Sequence, residues 1–123
     1  MTSAALGNGQ WSTVIDRALG SGALTSSEVE LWGAGAIEFL CTYVNGTETN
    51  CTFYLETWDR VEQVWRIRYV GAALTDDAAV RYMIEPTDYK EDKARIRAVP
   101  NASGTGTVVV LAQVDATRIH GVA

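Results

Sequence analysis

The side chains that could perform catalysis are few and scattered along this 123-residue chain. His120 is the one histidine, and no cysteine or carboxylate lies beside it at the spacing of a metal site. No Ser-His-Asp arrangement can be built without a further histidine, and no glycine-rich phosphate loop precedes a helix. We therefore expect a protein that is not an enzyme and that holds neither a cofactor nor a metal.

Carboxylates are concentrated in two predicted loops. They are Asp76, Asp77, Glu85, Asp88, Glu91 and Asp92. A calcium site needs several oxygen ligands that converge, and neither loop has the alternating Asp spacing of a dedicated calcium loop. The sequence therefore predicts solvated loops, with a cation site as the alternative.

Apolar residues recur at every second position through the central stretch, residues 36–70. A period of two places such residues on one face of a pleated strand, so the stretch predicts an antiparallel meander. The same alternation continues in later segments of the chain. The predicted core consists of Ile37, Phe39, Cys41, Phe53, Leu55, Trp65, Ile67, Tyr82, Ile96 and Val110.

Asn45-Gly46 lies between the first two alternating runs and is a strong local signal for a hairpin. A two-residue loop would mix apolar and polar residues on each face, whereas a loop of three or five residues about Gly46 keeps the apolar residues together. That register opposes Cys41 to Cys51. The two cysteines are therefore predicted to be cross-strand neighbours, with both thiols reduced when the protein is first made.

The remaining segments complete the predicted architecture. Residues 1–10 are predicted to be a flexible N-terminal arm, residues 11–19 a strand or a short helix, and residues 116–123 an extended C-terminal tail. About eight short strands joined by Gly-rich turns predict one all-β domain over residues 11–115. Its expected form is a single antiparallel β-sandwich that is jelly-roll-like and has extended termini.

Composition narrows the set of partners. The net charge of −5 and the pI near 4.7 argue against nucleic acid and against anionic membranes. The N-terminal residues lack the pattern of a signal peptide, and no apolar run reaches the length of a membrane span. We therefore expect synthesis in a cytoplasm.

Two groups of side chains fall on the strand faces opposite the predicted core. Tyr54 and Trp58 could stack on sugar rings, contact another protein or be covered by other parts of the chain. The strand arginines predict either cross-strand ion pairs or a docking face for an acidic partner. They are Arg66, Arg68, Arg81, Arg95 and Arg97.

The residues from Ile37 to Val114 resemble small β-sandwich virion proteins of tailed bacteriophages. In that family a short Gly-bearing strand leads into an aromatic, Thr-rich hairpin, and a strand with a Trp near its start follows. A Tyr-bearing strand, a basic alternating strand and a valine-rich strand come after it. The matching segments are GAGAIEFLCTY, NCTFYLETW, VWRIRY, AVRYMIEP, KARIRAVP and NASGTGTVVVLAQV.

This resemblance implies a structural protein of the virion that decorates or cements the capsid or serves as a head accessory. The implied partners are the major capsid protein or other virion subunits, with a homo-oligomer on the particle. A tail-associated sandwich module and a carbohydrate-binding module remain the alternatives. The candidate interface residues are Leu6, Trp11, Tyr54, Trp58 and Ile119.

Overall fold

The computed structural model describes residues 11–20, 22–31, 36–85 and 90–115. Every regular element within these ranges is a strand, which confirms the all-β prediction. The strands are β1 (Ser12–Gly20), β2 (Leu24–Thr25), β3 (Val29–Glu30), β4 (Ala36–Val44), β5 (Cys51–Asp59), β6 (Val64–Val70), β7 (Ala78–Ile84), β8 (Glu91–Pro100) and β9 (Gly104–Asp115).

The strands form two antiparallel sheets packed as a sandwich, as the sequence predicted. The first sheet has the order β1-β9-β4-β7, and the second has the order β2-β8-β5-β6 with β3 also paired to β8. The segment that the sequence left open between strand and helix is a strand, β1, on the edge of the first sheet. The described residues contain nine strands, whereas about eight were predicted, and two of the nine, β2 and β3, are only two residues long.

The predicted hairpin between β4 and β5 is wrong. β4 pairs with β7 and β9, whereas β5 pairs with β6 and β8, so the chain crosses from one sheet to the other between them. Among the described residues only Gly20 and Gln63 have positive φ, so Asn45-Gly46 does not form a primed turn. Alternating apolar residues show that two strands bury a face in the same core. They do not show whether the two strands pair within one sheet or pack against each other from opposite sheets.

Most of the predicted core is confirmed. Seven of the predicted residues are at most 3% exposed, namely Ile37, Phe39, Cys41, Phe53, Leu55, Ile96 and Val110. Tyr82 is half-buried against this core.

The prediction is wrong for Ile67, which is 51% exposed, and for Trp65, which is half-buried on the outer face. A register shift in the β5–β6 pairing is the cause, because Leu55 opposes Tyr69 while Glu56 opposes Ile67, leaving Arg68 as the extra residue. Such a bulge reverses the faces of the residues beyond it.

Cys41 and Cys51 both lie in the core, but they come from opposite sheets and are not cross-strand neighbours. Within the sheets Cys41 opposes Val80 and Val110, and Cys51 opposes Pro100. Both thiols are free. Burial raises the pKa of Cys41 to about 12 and that of Cys51 to about 11, so both are protonated and poorly nucleophilic at neutral pH.

A buried carboxylate holds the crossing from β4 to β5. Glu48 is 2% exposed, and its Oε2 accepts hydrogen bonds from the Tyr43 hydroxyl and from Gly46 N at 2.7 Å. Its Oε1 accepts a hydrogen bond from Gly106 N on β9 at 2.8 Å. Burial alone would raise the pKa of Glu48, but these hydrogen bonds outweigh it and lower the pKa to about 2.

The same crossing is hydrogen-bonded to the start of β9 and to the connection from β8 to β9, which also passes between the sheets. Thr47 N donates to Thr105 Oγ1 at 3.2 Å, and Thr105 N donates to Thr47 Oγ1 at 3.1 Å. Asn101 Oδ1 accepts from Thr49 N at 2.9 Å and Asn50 N at 2.8 Å. The two connections therefore close one end of the sandwich as a unit.

Phe39→Ala should lower the free energy of unfolding by about 3–5 kcal/mol, because it removes a fully buried ring from between the sheets. Ile67→Ala is the matched control, since half of the Ile67 side chain is exposed, and it should cost less than about 1 kcal/mol. Denaturant unfolding of both variants provides the measurement. Equal losses at the two positions would contradict the observed burial.

Glu48→Gln should lower stability at pH 7 by about 1–3 kcal/mol, because the amide cannot satisfy all of the donors around it. Because folding depresses the pKa of the Glu48 carboxyl, the ionised side chain stabilises the fold at pH values above its ordinary pKa of 4.5. That contribution is lost as the pH falls towards 2. Urea midpoints of the two proteins should therefore converge between pH 5 and pH 2, and a gap that is constant with pH would contradict this role.

Candidate docking face

The outer face of the second sheet carries a continuous group of aromatic and cationic side chains. In the register of β5 with β8, Tyr54 opposes Arg97, Glu56 opposes Arg95 and Trp58 opposes Lys93. On the other side of β5, Trp58 opposes Trp65 and Glu56 opposes Ile67. We call this surface the aromatic–arginine face, defined by Tyr54, Glu56, Trp58, Trp65, Ile67, Lys93, Arg95 and Arg97.

Each cation of this face lies over its own aromatic ring. The distances to the ring centroids are 5.3 Å for Lys93 over Trp58, 3.9 Å for Arg95 over Trp65 and 4.6 Å for Arg97 over Tyr54. The rings of Trp58 and Trp65 also touch, with centroids 5.4 Å apart and planes tilted by 59°. Contacts of this kind are worth about 0.5–1 kcal/mol each at exposed sites, and together they fix the side-chain positions.

One carboxylate pairs with both arginines of the face. Glu56 has a side chain only 6% exposed, and it accepts from Arg95 Nε at 2.8 Å through Oε1 and from Arg97 Nε at 3.2 Å through Oε2. Arg95 and Arg97 point to the same face of β8 because they are two residues apart. Glu56 therefore offsets part of the repulsion between them and holds both guanidinium groups close to the rings.

The edge of the face at β6 is apolar and open. Ile67 is 51% exposed and Val70 is 50% exposed. Aromatic rings and arginines are enriched at protein interfaces, and side chains that are already ordered lose little entropy on binding. The face is therefore suited to bind the surface of another molecule, and it offers no pair of groups placed for acid–base catalysis.

The predicted interface residues do not lie together on one surface. Tyr54 and Trp58 lie on the outer face as predicted, half-buried beneath cationic side chains of their own sheet. Trp11 is 38% exposed and lies apart, 5.8 Å from the Arg81 guanidinium on the first sheet. Leu6, Ile119 and the sole histidine lie outside the described residues.

The predicted ion pairs of the strand arginines are confirmed. Arg66 pairs with Asp59 at 3.2 Å, and Arg81 pairs with Glu38 at 2.7 Å. Arg68 pairs with Glu91. Arg95 and Arg97 alone among these arginines belong to the aromatic–arginine face.

Sequence reasoning missed several members of the face. Glu56 could have been found, because it lies midway between Tyr54 and Trp58 on one strand and therefore points to the same side. Trp65 and Ile67 could not have been found by alternation. Their position depends on the register shift at Leu55–Glu56, which no residue type signals.

The acidic loops show no cation site within the described part of the chain. No group of three or more His, Cys, Asp or Glu residues there could hold a metal ion. Asp77 instead accepts a hydrogen bond from Asn45 N at 2.8 Å, and Asp88 lies outside the described residues. Those residues also contain no helix that could cross a membrane.

The sequence matches no family model and no curated protein. Among solved structures, the fold is similar to that of the PBSX exported protein XepA. The TM-score is 0.68 with 14% sequence identity, and the match covers 96% of this chain and 42% of that chain. This chain therefore spans less than half the length of that neighbour, and the likeness shows the fold alone.

Glu56→Ala should lower the free energy of unfolding by about 1–3 kcal/mol, because it leaves Arg95 and Arg97 as two adjacent cations without their shared acceptor. Glu62→Gln is the control, since the Glu62 side chain is 62% exposed and pairs only at the surface with Arg66. It should change stability by less than about 0.5 kcal/mol. Thermal and urea unfolding will compare them, and equal effects would argue against an organising role for Glu56.

Proposed function

We propose that this chain is a structural protein of a tailed-phage virion and not an enzyme. In this proposal it binds the capsid surface as a decoration, cement or head-accessory subunit. The aromatic–arginine face is the observation that carries the proposal, because it is an ordered surface of aromatic and cationic side chains suited to binding another protein. The proposed partners are the major capsid protein or other virion subunits.

The fold supports this assignment. If β2 and β3 are counted as one interrupted strand and the described strands are renumbered from one to eight, the sheets have the orders 1-8-3-6 and 2-7-4-5. We infer a jelly roll from this order, an architecture that recurs in viral capsid and lectin domains. The neighbour XepA is an exported protein of the PBSX phage, which favours a phage origin for this chain as well.

Charge supports a protein surface as the partner. The chain carries a net charge of −5, yet the aromatic–arginine face presents Lys93, Arg95 and Arg97. Among the described residues, the carboxylates that pair with these cations are Glu56 and Glu28. A partner surface with acidic and apolar groups would complement this face, and the remaining acidic surface would discourage docking in other orientations. In the proposal, Trp11, Leu6 and Ile119 add contacts beyond the face.

A carbohydrate-binding module is the second candidate function. Tyr54 and Trp58 lie on an open sheet face, and aromatic rings can serve as platforms for sugars. Arg97 and Lys93 lie over these rings, which leaves less of each ring available for stacking. A tail-associated module would use the same face against a different virion protein.

Purified particles of a phage that encodes the chain provide the decisive test. The chain should be present in stoichiometric amounts by quantitative mass spectrometry, and particles assembled without it should bind the added protein. Ile67→Glu should weaken that binding by about tenfold or more, because it places a charge in the apolar part of the face. Val61→Glu is the control, since Val61 is 59% exposed in the β5–β6 turn and is not part of the face.

Equal binding of these two variants would exclude the aromatic–arginine face as the docking surface. Absence of the chain from purified particles would overturn the virion assignment. Binding to a soluble-glycan array tests the second candidate function, the carbohydrate-binding module. Binding that is lost in Trp58→Ala would favour a carbohydrate-binding module over a structural subunit.

A further inference from the structure

The outer edges of the two sheets differ in how they are protected from pairing with other strands. Among the described strands, β1 pairs with β9 through two register shifts, and β6 pairs with β5 through one. β2 and β3 are only two residues each. Short strands and bulges are the usual means by which proteins prevent edge-to-edge association.

β7 has none of these protections. Its seven residues pair with β4 without a register shift, and no other described strand pairs with its outer edge. It contains neither proline nor glycine, and its one charged side chain, Arg81, is neutralised by Glu38 at 2.7 Å. A regular edge strand of this kind is a template for pairing with another strand.

Exposed apolar side chains border this edge. Met83 on β7 is 40% exposed, and Tyr69 on β6 is 52% exposed. Tyr69 packs on Tyr82 across the open side of the sandwich, with ring centroids 5.1 Å apart. Beside them lies a groove of about 440 Å³ whose lining includes Leu55 and Ile84 of the core. A strand added to β7 would bury this apolar surface.

The sequence of β7 indicates which strand would fit. Its first half carries small side chains and its second half large ones, on both faces of the sheet. Antiparallel pairing of β7 with a second β7 about a two-fold axis at Arg81 places small residues opposite large ones. The opposed pairs are Ala78 with Ile84, Ala79 with Met83 and Val80 with Tyr82.

We propose that β7 is a self-association edge, through which two copies of this chain join their first sheets into one continuous sheet. The pairing satisfies the free backbone groups of both strands and keeps each residue on its own face. Each Arg81 retains Glu38 of its own copy, so two arginines and two glutamates meet at the axis. The interface is isologous, as in most soluble dimers.

The geometry of this dimer has a consequence for docking. A two-fold axis perpendicular to the joined sheet turns the second sheets of both copies to the same side. The two aromatic–arginine faces would then point towards one surface, and binding through both would increase the avidity. This consequence rests on the proposed function, whereas the pairing of β7 strands does not.

Charge exchange at the paired positions tests the interface. Ala79 is exposed on β7, and Met83 is the residue opposite it in the partner copy. The variant Ala79→Asp with Met83→Asp, and the variant Ala79→Lys with Met83→Lys, should each self-associate about tenfold or more weakly than the wild type. An equimolar mixture of the two variants should restore the dimer, because opposite charges then face each other. Sedimentation velocity over a range of concentrations provides the measurement.

The control variant Ala102→Asp with Ser103→Asp places the same charges in the exposed β8–β9 turn and should leave the dimer unchanged. A wild type that remains a monomer at millimolar concentration would overturn the proposal. A dimer that neither β7 variant weakens would also overturn it, since its interface would lie elsewhere. None of these measurements involves a phage particle, so they are independent of the test of the virion assignment.

Discussion

The buried carboxylate of Glu48 is the constraint on which the architecture depends. A sandwich requires the chain to leave one sheet and enter the other, and such crossings expose backbone donors that no strand satisfies. Glu48 accepts hydrogen bonds from the β4–β5 crossing and from β9, joining them at one end of the sandwich. The contact requires Gly106, because a Cβ there would lie 2.3 Å from the Glu48 carboxylate.

A second carboxylate, that of Glu56, organises the side chains on the outer face of the second sheet. Glu56 lies at the centre of the second sheet and allows Arg95 and Arg97 to share one face with aromatic rings. Without such an acceptor, adjacent cations on one strand would repel each other and extend into solvent. The order of the aromatic–arginine face is therefore a property of the cross-strand register, and this order makes the face suitable for binding.

The two sheets expose different features. The second sheet carries the aromatic–arginine face, and the first sheet ends in the regular edge of β7. The bulge in β6 turns Trp65 and Ile67 outward onto the aromatic–arginine face, and it also interrupts the edge of the second sheet.

The sequence by itself determined the class of fold and most of the inward-facing residues. Period-two alternation identified Phe39, Phe53 and Ile96 as core, because a strand of a sandwich can bury only one of its faces. Alternation carries no information about which strands pair. Only the tertiary structure decided that β4 and β5 lie in opposite sheets, since long-range pairing with β8 and β9 outweighs the local turn signal. The outward position of Ile67 was decided in the same way, because the cross-strand register with β5, and not the residue type, sets where the bulge falls.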